Sequence, residues 1–116
     1  MSDLAERLCR ARLDGGTVAV EPAAIGENLD AAYALQQEVL WHIGDPSDSW
    51  KVGSTSAEAQ AALGTTEPGA ARVPARFCFT SPANVEFFTA HDAKLEAEFA
   101  FRLYRDLPPR NDDYTA

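Results

Sequence analysis

An α+β fold is what this sequence predicts, and three observations predict it. Apolar residues at helical spacing, bounded by cap and stop residues, occupy most of residues 1–49. From Trp50 onward the text changes to short β-prone runs broken by Gly, Pro and Ser. Finally, the segment Leu95–Tyr104 alternates without interruption, with Leu95, Ala97, Phe99, Phe101 and Leu103 on one side and Glu96, Glu98, Ala100, Arg102 and Tyr104 on the other. With 116 residues, 46% of them hydrophobic and 24% charged, the chain has the length and composition of one folded unit.

Taken in order, Ser2 or Asp3 caps a first helix through Leu4, Ala5, Leu8, Ala11 and Leu13, which Gly15-Gly16 stops. A short β-prone stretch, Thr17 to Val20, follows. The most regular helix is predicted from about Asp30 to Ile43, because Leu29, Ala32, Tyr33, Gln36, Val39, Leu40 and Ile43 share one face and Gly44 supplies a stop. After the breakers of residues 44–49, Trp50-Lys51-Val52-Gly53 reads as a short strand. Thr55 through Glu58 has the form of a capping box, with Thr55 as cap, ahead of a short helix ending at Leu63-Gly64. Residues 65–74 read as loop with a turn at Glu67-Pro68-Gly69. Strands are predicted at Arg76–Thr80, Val85–Phe88 and Leu95–Tyr104, the last ended by Asp106-Leu107-Pro108-Pro109.

Charge narrows the function. Ten Lys and Arg against eighteen Asp and Glu leave a net charge of -8, with no basic cluster to meet a phosphate backbone, so no nucleic-acid partner is expected. No leader pattern and no apolar run of membrane-spanning length appears, and Cys9 and Cys78 match no paired metal or redox spacing. The expectation is a cytoplasmic protein with no membrane partner, whose two cysteines are free, buried thiols.

Two constellations could carry chemistry. Glu96 and Glu98, two apart on a strand, emerge from the same face, and their mutual repulsion calls for a positive charge. On a solvated face, water and Arg102 suffice; in a pocket, a hard divalent cation is the natural compensation, or the pair does general acid/base work. The second is Lys51 with Ser54 and Thr55, where an ammonium, hydroxyls and the N–H groups of a helix start could cradle an anion; the plainer alternative is an exposed lysine on an edge strand. His42, near a helix end, is read as satisfying the last carbonyls or the helix dipole, and Cys78 and His91 do not combine with the glutamates into a zinc pattern. Nucleophile-elbow, P-loop and dinucleotide-fingerprint sequences are absent.

Several segments also fall in a characteristic order: residues 31–36 (Ala-Ala-Tyr-Ala-Leu-Gln), residues 50–55 (Trp-Lys-Val-Gly-Ser-Thr), Ala62-Leu63-Gly64, Glu67-Pro68-Gly69, residues 94–101 (Lys-Leu-Glu-Ala-Glu-Phe-Ala-Phe) and Asp106-Leu107-Pro108. As an ordered set they resemble the 2-keto-4-pentenoate hydratase family, the hydratase and decarboxylase branch of the fumarylacetoacetate hydrolase superfamily. The resemblance implies N-terminal helices (1–49) packed beside the opening part of a mixed β-roll (50–116). It implies that Glu96 and Glu98 bind Mg²⁺ or Mn²⁺, and that Lys51, with Ser54 and Thr55, faces a small 2-oxo or 2-hydroxydienoic acid from aromatic catabolism. In such enzymes the metal chelates the 2-oxo acid and stabilises an enolate, to which water adds, while Lys51 would hold the carboxylate or assist proton transfer.

The family pattern departs from this sequence twice. Its third carboxylate ligand lies beyond the position of Ala116, so the chain is expected to correspond to the N-terminal portion of a longer protein, a truncated product or fragment with an incomplete site. Where such hydratases often carry an aspartate, this chain has Arg76, which leaves hydration, decarboxylation and carbon–carbon cleavage open. The competing expectation is a non-catalytic remnant or an interaction module. Because strand Leu95–Tyr104 needs neighbours, Phe87, Phe88, Phe99 and Phe101 are expected to leave an apolar surface, and the chain alone to self-associate as a homo-oligomer or to be of low stability.

Overall fold

Ser2 begins the structure by serving two helices at once. In the computed structural model, which describes residues 2–26 and 28–114, its side-chain oxygen accepts from the Ala5 N–H at 3.3 Å and so caps α1 (Asp3–Asp14). Its backbone N–H and hydroxyl also donate to Glu38 Oε2, at 2.7 and 2.8 Å. Those two donors, the backbone one first, hold the Glu38 carboxyl below the usual glutamate range. Gly15, at φ 77°, closes α1 in the left-handed conformation.

Glu38 belongs to α2 (Leu29–Ile43), which Asn28 caps by accepting from the Ala31 N–H at 2.9 Å, and which Gly44 ends with its N–H donating to the Leu40 carbonyl at 3.2 Å. The helix starts one residue before the predicted Asp30. α1 packs on α2 through Ala5 and Cys9, two small side chains one turn apart that are buried. Small residues at that contact let the backbones approach closely.

The sheet is a hairpin. β1 (Trp50–Gly53) pairs antiparallel with β2 (Gly69–Arg72) in the register Trp50 with Arg72, Lys51 with Ala71, Val52 with Ala70 and Gly53 with Gly69. The pairing continues past β1, where the Val73 N–H donates to the Ser49 carbonyl at 2.9 Å. Between the strands lies α3 (Ala57–Leu63), capped by Ser56, which accepts from Ala59 N–H at 3.1 Å. β2's outer border is covered by α2: the Ala70 N–H donates to the Tyr33 hydroxyl oxygen at 3.2 Å, and the Ala70 carbonyl accepts from Gln36 Nε2 at 3.5 Å. A helix thus takes the place that a third strand would fill.

The architecture is α+β, as predicted, with three α-helices and one two-stranded sheet among the described residues. Several elements differ from expectation. Thr17–Val20 forms no strand. The cap of α3 is Ser56, not Thr55; both residues can cap, and the hydrogen bond selects the later one. Gly69–Arg72, read as loop because Gly-Ala-Ala-Arg lacks β-branched residues, is β2, held by its partner strand and by α2. Ala75–Phe77 is a 3-10 turn, and Val85–Phe88 is not a strand.

The largest correction concerns residues 78–114. Leu95–Tyr104 forms no ladder, and across 78–114 every residue but His91 is exposed. Leu95, Phe99 and Phe101 are 101%, 96% and 90% exposed, so the alternating apolar face meets no core among the described residues. The radius of gyration, 16.1 Å, exceeds the roughly 13–14 Å of a compact domain of this length. This arm is fastened to the body at two places. Near its start, the Phe88 ring lies against Gly15 and His91 Nε2 is 2.8 Å from the Gly16 carbonyl. The second fastening is at Lys51.

Candidate functional site

β1 presents Lys51 and Gly53 toward a cavity, because side chains alternate along a strand. On the opposite face, the guanidinium of Arg72 lies over the ring of its cross-strand partner Trp50, 4.8 Å from the centroid. That pair shields the back of the strand and leaves Lys51 on the working side. Its ammonium is 3.3 Å from Glu96 Oε2 and also in direct contact with Glu98 Oε1. Residues 47 apart in sequence are therefore gathered at one point.

Glu96 and Glu98 both reach the same ammonium, although the segment that carries them is not the strand from which their common face was predicted. The positive charge they meet is Lys51, not Arg102. Its hydrogen bond to Glu98, with a second to Glu96, pushes the Lys51 pKa above the ordinary lysine value, against the opposing effect of partial burial. Lys51 is thus an ammonium throughout the neutral range, suited to holding an anion and not to accepting a proton. The cluster is open to solvent, with side chains 42%, 66% and 46% exposed for Lys51, Glu96 and Glu98. Its attraction is accordingly screened by salt.

Beside the lysine is a cavity of about 390 Å³ between α2 and the hairpin, lined among others by Leu29, Tyr33, Gln36, Lys51, Ser54 and Ala70. Ser54, at φ 56°, turns the chain out of β1 in the left-handed region, and its carbonyl accepts from Gln60 Nε2 at 3.0 Å. Of the residues predicted to bind an anion, Lys51 and Ser54 reach this cavity; Thr55 is exposed and outside its lining. The expected contribution from the start of α3 falls away. That helix is only 7 residues long, and Ser56 already satisfies its Ala59 N–H.

The other sequence candidates lie elsewhere. Arg76 is tied to the loop before β1, its backbone N–H donating to Asp45 Oδ2 at 2.6 Å. His42 leaves the closure of α2 to Gly44; its Nε2 is buried without a partner among the described residues, and its ring meets Trp41 edge-on at 5.2 Å. Both cysteines are free; Cys9 is buried as expected, but Cys78 is exposed, its thiol donating to the Pro74 carbonyl at 3.7 Å. Gln36 was not singled out by the sequence for chemistry. The signal was there, a carboxamide on the apolar face of α2.

As to a divalent cation, the donors are hard carboxylate oxygens, and both already converge on one positive charge, which is what Mg²⁺ or Mn²⁺ requires of its ligands. Among the described residues no third Asp, Glu, His or Cys joins them. The pair therefore fits such an ion as a partial ligand set. No helix among the described residues is long and apolar enough to cross a membrane. Neither a family model nor a solved structure matches the chain.

Proposed function

We propose that Lys51, Glu96 and Glu98 form part of the site of a metal-dependent lyase, a hydratase of small 2-oxo or 2-hydroxydienoic acids, built on the opening portion of a β-roll of the fumarylacetoacetate hydrolase type. One observation carries the reading: a strand lysine and two glutamates from a distant segment meet at a single point beside a cavity of small-molecule size. Glu96 and Glu98 would hold Mg²⁺ or Mn²⁺. That ion, when bound, draws electrons from the keto oxygen of the acid. Lys51, kept protonated by its neighbours, binds the acid's carboxylate and orients it, and Ser54 contributes a hydroxyl on the same wall.

Titrating the chain with Mn²⁺ and following water-proton relaxation tests this reading. Saturable binding is expected, weakened at least about tenfold by Glu96→Gln or Glu98→Gln through loss of a charged ligand. Binding indifferent to both substitutions overturns it. The bare apolar face of residues 95–103 favours a second reading, a non-catalytic interaction module that self-associates through that face. Under it, Mn²⁺ has no specific effect, and Phe99→Ser abolishes a dimer seen by sedimentation.

A further inference from the structure

At the C-terminal end of α2 lies a second cavity, of about 570 Å³, which shares no lining residue with the one beside Lys51. The last turns of the helix form one wall with Leu40 and Trp41, the loop into β1 contributes Pro46, and the chain leaving β2 contributes Arg72, Val73 and Pro74. The volume suits a small molecule. Local sequence builds this hollow: Gly44 stops α2, and Val73, still bonded to Ser49, carries the other wall on to Pro74. Proline has no N–H, so Pro46 and Pro74 add rigid carbon surface and no backbone donor. Trp41 is 66% exposed and its ring meets that of His42 edge-on at 5.2 Å, so the indole is supported from within its own helix and offers an open aromatic surface.

Arg72 supplies the charge. Its guanidinium lies over the Trp50 ring, and its Nη1 donates to the Ser47 carbonyl at 3.0 Å; the two contacts hold it in place before any ligand arrives. Asp48 Oδ1, 3.7 Å from Nη1, is fully exposed and its attraction is screened. Among the described residues Nε and Nη2 donate to no group, so part of the planar fork remains available to an acceptor. The carboxylate in the lining is already engaged: Asp45 Oδ2 accepts from the Arg76 backbone N–H at 2.6 Å and stands 3.7 Å from Arg76 Nε. A guanidinium fork matches a carboxylate, and an open indole beside aliphatic walls matches a flat apolar body. A second charge on that body would be set among Leu40, Val73 and the prolines without a partner. We infer that this cavity binds a planar aromatic monocarboxylate, with its ring against Trp41 and its carboxylate on Arg72. The site is separate from the cluster of Lys51, Glu96 and Glu98 and does not depend on the role proposed for it.

Calorimetric titration of the full chain with 2-naphthoate and with 2-naphthamide, which has nearly the same outline and no charge, tests the inference. The acid is expected to bind at least about tenfold more tightly, the order expected of a charge-assisted pair. Its addition should shift the indole N–H resonance of Trp41 in proton–nitrogen spectra. Arg72→Met should bring the acid down to the affinity of the amide, and Trp41→Ala should weaken both ligands about tenfold by removing the stacking surface. Lys51→Met should leave the affinity for the acid within about twofold, which separates this cavity from the first. Equal affinity for acid and amide overturns the inference, as does the absence of saturable binding of the acid, or binding that Lys51→Met abolishes and Trp41→Ala leaves unchanged. The two ligands and the Trp41 resonance are compared on the unsubstituted chain, so a variant that fails to fold does not shelter the inference. Failure here leaves the Mn²⁺ test of Glu96 and Glu98 undisturbed.

Discussion

The body of the chain, residues 2–77, and its arm, residues 78–114, carry equally regular patterns and have opposite fates. In the body three patterns meet a partner: the α1 face meets α2, β1 meets β2, and the border of β2 meets Tyr33 and Gln36. In the arm, Leu95–Tyr104 alternates more cleanly than either strand of the hairpin, yet its apolar side chains stand in the open. Periodicity thus specifies which side of a segment is to be buried; a ladder forms only where something supplies the other half of the hydrogen bonds. β2 shows the converse, since Gly-Ala-Ala-Arg has little strand character and is a strand because both of its borders are occupied.

Substitutions on either side give the strongest test of this contrast. Ala5→Asp places an unpaired carboxylate at the fully buried contact between α1 and α2 and should cost on the order of 3 kcal/mol, whereas Phe99→Ser in the arm should change stability by less than about 0.5 kcal/mol. Urea denaturation of both variants measures the difference. Comparable losses would mean that the arm is packed in solution.

A smaller effect is expected at the joint between the regions. Gly15 holds a positive φ, and a Cβ there would collide with the Phe88 ring. Gly15→Ala should therefore cost about 1–2 kcal/mol and loosen the arm from the end of α1. Amide exchange would show this as faster exchange at residues 86–91, with α2 unchanged. If exchange accelerates in α2 instead, Phe88 belongs to the body and the boundary must move.

The smallest effect is acid-dependent and confined to the body. The folded Glu38 carboxyl lies below its unfolded value because the charged form accepts from Ser2, so that contribution is present above the usual glutamate pKa, about 4.3, and is lost as pH falls through the lower folded value. A carbon-detected titration of Glu38 should give a midpoint below about 4.3, with the Ser2 and Ala5 amides shifting together. A midpoint at or above that value would show that Ser2 does not hold the carboxylate in solution.

What the sequence made legible follows the same division. All three α-helices were readable, because their signals are local: apolar spacing, a capping side chain and a stopping glycine. The error at α3 was a choice between Thr55 and Ser56, adjacent residues with the same capping chemistry. Lys51, Ser54, Glu96 and Glu98 were readable as residue types, since like charges on one face demand a counter-charge. That Lys51 would be that counter-charge depends on how a distant segment folds back, which no local pattern encodes. Gln36 was visible only as a polar residue on an apolar face; its orphaned oxygen arises from the Ala70 carbonyl beside it.

The closure of β2 by Tyr33 and Gln36 makes the hairpin a one-ended template. In an antiparallel register where Ala70 turns its N–H and carbonyl outward to α2, its partner Val52 turns its own outward on the far border, as does Trp50 two residues away. Among the described residues no backbone hydrogen bond reaches that far border. Any additional strand must dock along Trp50–Gly53, so the sheet can lengthen in a single direction, and the order in which strands could be added is set before any of them arrives.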